Sequence, residues 1–247
     1  MDLNGKVALV TGSGRRVGKT IALALAERGA TLAIHYRSSQ AEADGVVAEI
    51  AGQHGKPGNA TVFHADLEKV ADIEVMITAV LTAFGRIDVL VNSASIFYRK
   101  PIEEVTERDW DVNLNTNLKA PFFLAKFAGA AMRRQGAGKI VNIGDWAGIR
   151  PYNNYLPYVV SKTGILGLTK ALAKALAPEV QVNCVALGPV MAPEEYGADE
   201  IARMVASTLT KKMGTPEDVA RAVLFFCEGT DFATGATLVL DGGRLIA

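Results

Sequence analysis

The chain has 247 residues, 49% of them hydrophobic and 21% charged, with 26 basic and 26 acidic side chains in balance. This supplies apolar material for one large α/β domain or two small ones and argues against disorder. A net charge of zero with no basic run makes nucleic acid and acidic membrane poor partners, and no apolar run reaches the roughly 18 residues of a membrane span.

Two cysteines, Cys184 in VNCVAL and Cys227 in LFFCEG, sit in apolar surroundings. Free buried thiols suit a reducing, cytoplasmic setting better than a disulfide framework. The start, MDLNGKVALVTG, lacks the plan of a signal peptide. Lys6–Thr11 is a short β-branched run that ends in T-G-S-G-R-R-V-G. A helix from Lys19 to Arg28 closes at Gly29, and Thr31–His35 reads as a second strand. Strand, glycine turn, helix and strand make the βαβ unit of a dinucleotide-binding fold. Its glycines let the backbone approach a pyrophosphate, which the helix N-terminus attracts. The second strand ends in Tyr36-Arg37-Ser38-Ser39 with no acid before Glu42. A basic and hydroxyl cluster there favours the extra phosphate of NADP(H) over NAD; the other reading is a solvated polar turn.

The alternation continues. Ala41–Ile50 is a helix, Gly52–Gly58 a loop, and Thr61–His64 a strand leading to Asp66-Leu67. Ile73–Phe84 is a helix closed by Gly85, and Asp88–Val91 is a strand running into N-S-A-S-I-F. A long helical region covers Thr106 to Gln135, and Lys139–Ile143 is the fifth strand. The stretch from Asp145 to Lys162 opens a helix that runs to about Ala177. Val180–Ala186 is a strand and Gly188–Thr215 an insertion with one or two short helices. Pro216–Glu228 is a helix with Thr215 as N-cap, and Ala236–Leu240 is the last strand. Seven strands alternating with helices predict one α/β domain over residues 1–247, a Rossmann-like doubly wound parallel sheet. The segments Gly12–Gly18, Tyr36–Ser39, Asp66-Leu67, Asn92–Phe97, Asp145 and Gly188–Pro193 should meet in one crevice beyond the strand ends.

Tyr158 and Lys162 stand four residues apart, which places them on one helical face. An ammonium there is expected to lower the phenol from its ordinary value near ~10 and make it a usable proton donor. The helix is apolar nearly all round (Val159, Val160, Ile165, Leu166, Leu168, Leu172, Leu176), so it is expected to be buried on all sides, one of them by a second subunit.

Together these residues resemble the short-chain dehydrogenase/reductase family over essentially the whole chain. The matches fall in the family's order: Thr11-Gly12 with Gly18, Asp66-Leu67, Asn92-Ser93-Ala94, Asn117, Tyr158-x-x-x-Lys162 and Asp241-Gly242-Gly243. The resemblance implies a reductase using NADPH, no metal, and a homotetramer or homodimer. It implies a catalytic set of Tyr158, Lys162, Asp145 and Asn117, with Asn117 holding a water that links the lysine to solvent. It assigns cofactor contacts to Gly12, Arg16, Val17, Gly18, Tyr36, Arg37, Ser38, Ser39, Asp66, Leu67, Asn92, Ala94, Tyr158, Lys162, Gly188 and Val190.

Departures from the family pattern narrow the reading. Arg16 replaces the middle glycine of the turn, Ser95 follows Asn-x-Ala, and Asp145 stands where the family has a catalytic serine. These are shared with the pteridine reductase branch, which also has an aromatic at Phe97 to stack on the pterin. That branch implies substrate contacts from Arg16, Ser95, Phe97, Asp145 and Tyr158. Leu187 and Ala192 also depart from the family's usual residues, and the branch does not account for them. An ionised Asp145 cannot donate to a ketone oxygen, whereas it favours positive charge developing on a C=N nitrogen. Alternatively Asp145 is protonated among Trp146 and Ala147 and donates as serine would, or it only caps a turn. Phe97 alone would read as core. Arg16 at a helix N-terminus opposes the dipole unless an anion is bound. Trp146, Tyr152, Tyr155 and Met191–Tyr196 are candidate pocket walls. The expected function is NADPH-dependent reduction of a dihydropterin or dihydrofolate-like C=N bond. The alternatives are reduction of a carbonyl, such as a 3-oxoacyl thioester, and non-catalytic sensing of NADPH.

Overall fold

The computed structural model describes residues 1–54, 59–192 and 196–247, the side chains of residues 53 and 54 excepted. Seven strands form one parallel sheet: β1 (Val7–Val10), β2 (Thr31–Tyr36), β3 (Ala60–His64), β4 (Val89–Asn92), β5 (Gly138–Asp145), β6 (Val180–Leu187) and β7 (Thr237–Leu240). Their order is β3-β2-β1-β4-β5-β6-β7. The chain winds outward from β1 to β3, returns to pair β4 with β1 (Ala8 opposite Val89), and winds out the other way. The point of reversal lies between β1 and β4, where open α/β sheets hold their ligands.

Helices cover both faces. Successive residues of a strand point to opposite faces, so Ala8 and Val10 pack with α1 (Arg16–Glu27), α2 (Gln40–His54) and α8 (Pro216–Leu224). Val7 and Leu9 pack with α3 (Val70–Phe84), α5 (Ala120–Gln135) and α6 (Leu156–Leu176). Burial on both sides is why these strands read as unbroken apolar runs. Local chemistry sets the helix ends. Gly85 and Gly136 take left-handed backbone at the ends of α3 and α5. Thr106 with Asp109, and Thr215 with Asp218, form reciprocal capping boxes at the starts of α4 (Glu107–Leu114) and α8.

Several boundaries differ from those expected. Helix α2 runs through Gly52 to His54, so less of the expected Gly52–Gly58 loop remains, and residues 55–58 lie outside the described part. The region Thr106–Gln135 is two helices joined by a π turn at Asn115–Lys119, and α8 ends in a second π turn at Phe225–Gly229. Among the described residues the insertion after β6 holds one helix, α7 (Ala198–Ala206). Helix α6 is not buried all round in the single chain. Thr163, Gly167, Lys170, Ala171 and Lys174 are exposed, because the sheet takes one face and small or charged residues occupy the other. Both cysteines are free and buried, and among the described residues no helix is long and apolar enough to cross a membrane.

Candidate active site

The strand ends converge as expected on a cleft of about 870 Å³, within the range of small-molecule and cofactor sites. One half is built on β1 and β2. Gly12 has φ of 65°, and a Cβ there would stand 2.9 Å from the Ala94 Cα. A Cβ on Gly18 would sit 2.3 Å from the Gly12 carbonyl, so only glycine lets α1 approach the turn. Thr11 Oγ1 accepts from the N–H of both Ser93 and Ala94 at 3.0 Å, tying this turn to the end of β4. Arg15 precedes α1 without a side-chain cap, and no acid lies in the first turn. Arg16 stands in left-handed backbone, φ 52°, a conformation glycine adopts freely, and its guanidinium donates across to the Ala192 carbonyl at 3.5 Å. Arg37, Ser38 and Ser39 line the rim, and Arg37 lies 3.7 Å from Glu68.

Sequence reasoning passed over His35. The buried ring accepts the Gly12 N–H on Nδ1 at 2.9 Å, and its Nε2 faces the Ala65 carbonyl at 3.1 Å. That geometry requires a neutral ring protonated on Nε2. Burial pushes the imidazole down to about 4. A histidine ending a strand beside a glycine turn was the available signal.

The other half of the cleft is built on β5 and α6. Asp145 ends β5. Its Oδ1 accepts the Ala147 N–H and its Oδ2 accepts the Tyr158 hydroxyl, both at 2.7 Å. Tyr158 therefore meets Asp145 directly. Lys162 turns its buried ammonium to the Ile143 carbonyl at 2.8 Å and stands 5.6 Å from the centre of the Tyr158 ring. The expected lowering of the Tyr158 phenol by Lys162 is corrected here. Burial, then the Asp145 charge and Tyr152, push that phenol well above its ordinary value. Burial also raises the Asp145 carboxyl, against opposing hydrogen bonds from Ala147 and Tyr158, and burial lowers the Lys162 ammonium. Charge on either member of the Asp145–Tyr158 pair is thus disfavoured by burial.

Phe97 and Ser95 line the cleft, as do Tyr152, Tyr155, Trp146 and Tyr196. Phe97 stacks on Tyr155 with ring centres 4.4 Å apart and meets Tyr158 edge-on at 4.7 Å. Tyr155 shares a 2.8 Å hydroxyl contact with Tyr196. Gly188 packs against Asp241, and Val190 lines the cleft beside Leu187. Residues 193–195, with the Glu194-Glu195 pair, lie outside the described part.

Asn92 and Asn117 stand behind the cleft rather than on its wall. Asn92 donates to Asn142, which donates to Thr169, inside the core. The Asn117 side chain accepts from the Ile96 N–H and Ser95 hydroxyl and donates to the Ile96 carbonyl and Ser161. Its side-chain hydrogen-bonding positions are used within the protein, so a water at this position would have to meet the main chain of the π turn. Thr116, in the same turn, lines the cleft with a buried hydroxyl that has no hydrogen-bond partner among the described residues. Arg244 also enters the cleft, over the face of Trp146.

The sequence pattern of the family described as Enoyl-(Acyl carrier protein) reductase matches residues 12–244. An uncharacterized oxidoreductase of Thermotoga maritima is 35% identical over 257 residues, covering 98% of each chain. The 3-oxoacyl-[acyl-carrier-protein] reductase FabG of the same organism is 34% identical over 250 residues, covering 100% of both. A crystal structure of FolM alternative dihydrofolate reductase 1 from Brucella canis, complexed with NADP, superimposes with a TM-score of 0.92 at 32% identity. That match covers 100% of this chain and 96% of the other.

Proposed function

Because the chain belongs to the short-chain dehydrogenase/reductase family, an oxidoreductase family, we propose that it is an NADPH-dependent reductase of a dihydropterin or dihydrofolate-like C=N bond. The carrying observation is the 2.7 Å bond between Asp145 Oδ2 and the Tyr158 hydroxyl, inside the cleft.

The residues present fit the cofactor. The close packing at Gly12 and Gly18 leaves backbone room for a pyrophosphate, which the uncapped start of α1 attracts. In this reading Arg16 and Val17 hold that group, Arg37, Ser38 and Ser39 hold the 2′-phosphate, and Tyr36, Asp66, Leu67 and Ala94 wall the same half. Lys162 serves the nicotinamide ribose, with Gly188 and Val190 beyond it. Asn92 acts indirectly, by bracing the end of β4. Bound NADPH supplies a hydride.

The chain's own residues manage the proton. In the resting cleft the Tyr158 hydroxyl donates its single proton to Asp145 Oδ2; with substrate bound that O–H turns from the carboxylate to the substrate nitrogen and gives up the proton, leaving a phenolate beside the Lys162 ammonium. As the nitrogen takes the proton, positive character there is favoured by the carboxylate. Ala147 fixes the carboxylate by its other oxygen. Ser95, Arg16 and Phe97 line the approach, and in this reading they hold the heterocycle. Because Tyr155 already covers one face of Phe97, stacking of a ligand there uses the other face or displaces Tyr155.

A carbonyl reductase is the second reading, favoured by the FabG relative and by the raised Asp145 carboxyl, which when protonated donates as a hydroxyl would. The test follows NADPH absorbance with dihydropterins, dihydrofolate and a 3-oxoacyl thioester. Oxidation by the pterin group supports the first reading; oxidation by the thioester alone refutes it. The enzyme is further taken to be cytoplasmic and a homodimer or homotetramer, joined through the exposed face of α6 and the exposed Trp110 and Phe122. Light scattering on the purified protein would read the subunit number, and a monomer would refute that part.

A further inference from the structure

Arg244 follows the closing Asp241-Gly242-Gly243 run, and that run dictates where it points. Gly242 and Gly243 take left-handed backbone at φ of 63° and 81°. The Asp241 carboxylate accepts the N–H of Gly243 at 2.9 Å and of Leu245 at 2.7 Å. The chain folds back as a single turn, and Arg150 donates to the Ala247 carbonyl at 3.1 Å. The Arg244 guanidinium then lies 4.6 Å from the Trp146 ring centre, in the wall of the cleft with Asp145, Tyr152 and Tyr158. Its charge is felt at Asp145 and at Tyr152.

Among the described residues this guanidinium rests on a ring and forms no ion pair with a carboxylate. A planar fork of donors, braced from one side and turned to a cavity, matches a carboxylate on a ligand. The cofactor's phosphates do not answer to it. The uncapped start of α1 follows β1 and Arg37 follows β2, on one side of the sheet's reversal point. Arg244 follows β7 and rests on the residue after β5, on the other side.

We infer that Arg244 is a specificity-determining residue that binds a carboxylate carried by the substrate away from the bond being reduced. The inference rests on the pteridine reading and deepens it. The substrate becomes a dihydropterin with an acidic tail, of the folate type, rather than one with a neutral side chain.

The test compares wild type, Arg244→Gln and Arg244→Lys on dihydrofolate and on dihydrobiopterin, whose tail is uncharged. In the glutamine variant the KM for dihydrofolate is expected to rise roughly 10- to 100-fold more than that for dihydrobiopterin, while the loss of the Arg244 charge at Asp145 changes kcat alike for both. Lysine is expected to restore part of the loss. Equal effects on the KM of both substrates, or none on either, would overturn the assignment. A second readout needs no turnover: p-aminobenzoylglutamate, an acidic tail without a pterin, is titrated against tryptophan fluorescence, to which Trp146 contributes. Binding to wild type that Arg244→Gln abolishes supports the carboxylate site, even if no pterin is reduced and the pteridine reading falls. Equal binding to both proteins overturns the site, even if both reduce pterins.

Discussion

Replacing Asp145 by serine tests the chemistry most directly. Two bonds of 2.7 Å end on this carboxylate, one from the Ala147 N–H and one from the Tyr158 hydroxyl. A serine hydroxyl, shorter and with one oxygen, keeps at most one of them. A hydrogen bond to a charged partner contributes about 1.5–3 kcal/mol. If the Tyr158 bond acts in the transition state, its loss slows dihydropterin reduction roughly 10- to 150-fold, at 1.36 kcal/mol per decade. The desolvation cost of the carboxylate disappears with it, so the melting temperature is expected to stay within a few degrees. The Asp145 charge is one of the causes that raise the Tyr158 phenol. In the variant that phenol falls, and the alkaline limb of the kcat profile moves to lower pH. Ketone reduction is expected to rise, because serine donates where a carboxylate repels. Stopped-flow kinetics across pH with a pterin and a ketone would read all three. Unchanged pterin turnover beside a gain on ketones would refute the C=N argument.

Three further outcomes follow from the geometry. The His35 imidazole is held near 4 against an ordinary 6.5, so the unfolded chain binds the extra proton first; stability is full above about 6.5 and falls by up to about 3 kcal/mol as pH drops toward 4. Urea melts from pH 7 to 4 should show that slope, and His35→Gln should lose most of it; an identical slope in the variant would reject the assignment. A Cβ at Gly188 would stand 2.4 Å from the Asp241 Cα, so Gly188→Ala is expected to cost about 1–3 kcal/mol and weaken NADPH binding, read by melts and fluorescence titration. Arg37→Ala should raise the KM for NADPH roughly 10- to 100-fold while that for NADH stays constant, and an equal change for both would remove Arg37 from the 2′-phosphate.

Much of this was legible in the sequence because its causes are local. Apolar runs alternating with helix-length segments gave seven parallel strands, and the glycines after β1 located the turn. Thr215 before Pro216 gave the start of α8. What was hidden depends on distant partners. Spacing put Tyr158 and Lys162 on one face but could not show that the lysine turns to Ile143 and the phenol to Asp145, since both partners lie on β5. The exposed side of α6, with Thr163, Gly167, Lys170, Ala171 and Lys174, is the side expected to meet a second subunit, which a single chain does not contain. The π turn at Asn115–Lys119 has no spacing signature, yet it holds Asn117 against Ile96 and Ser161. Arg244 enters the site only through the left-handed pair of glycines before it.

The strand order also governs how the chain comes to exist. β1 is made first but lies inside the sheet, with Ala8 paired to Val89 on one side and Leu9 to Ala33 on the other. A nascent chain on the ribosome has β2 early, yet the opposite edge of β1 stays open until β4 has emerged. Each pairing is parallel and waits for a crossover, a topology that folds slowly and leaves sticky edges during synthesis. The growing chain therefore carries an open β1 edge until β4 is made, and β4 in turn leaves its own edge open until β5 emerges.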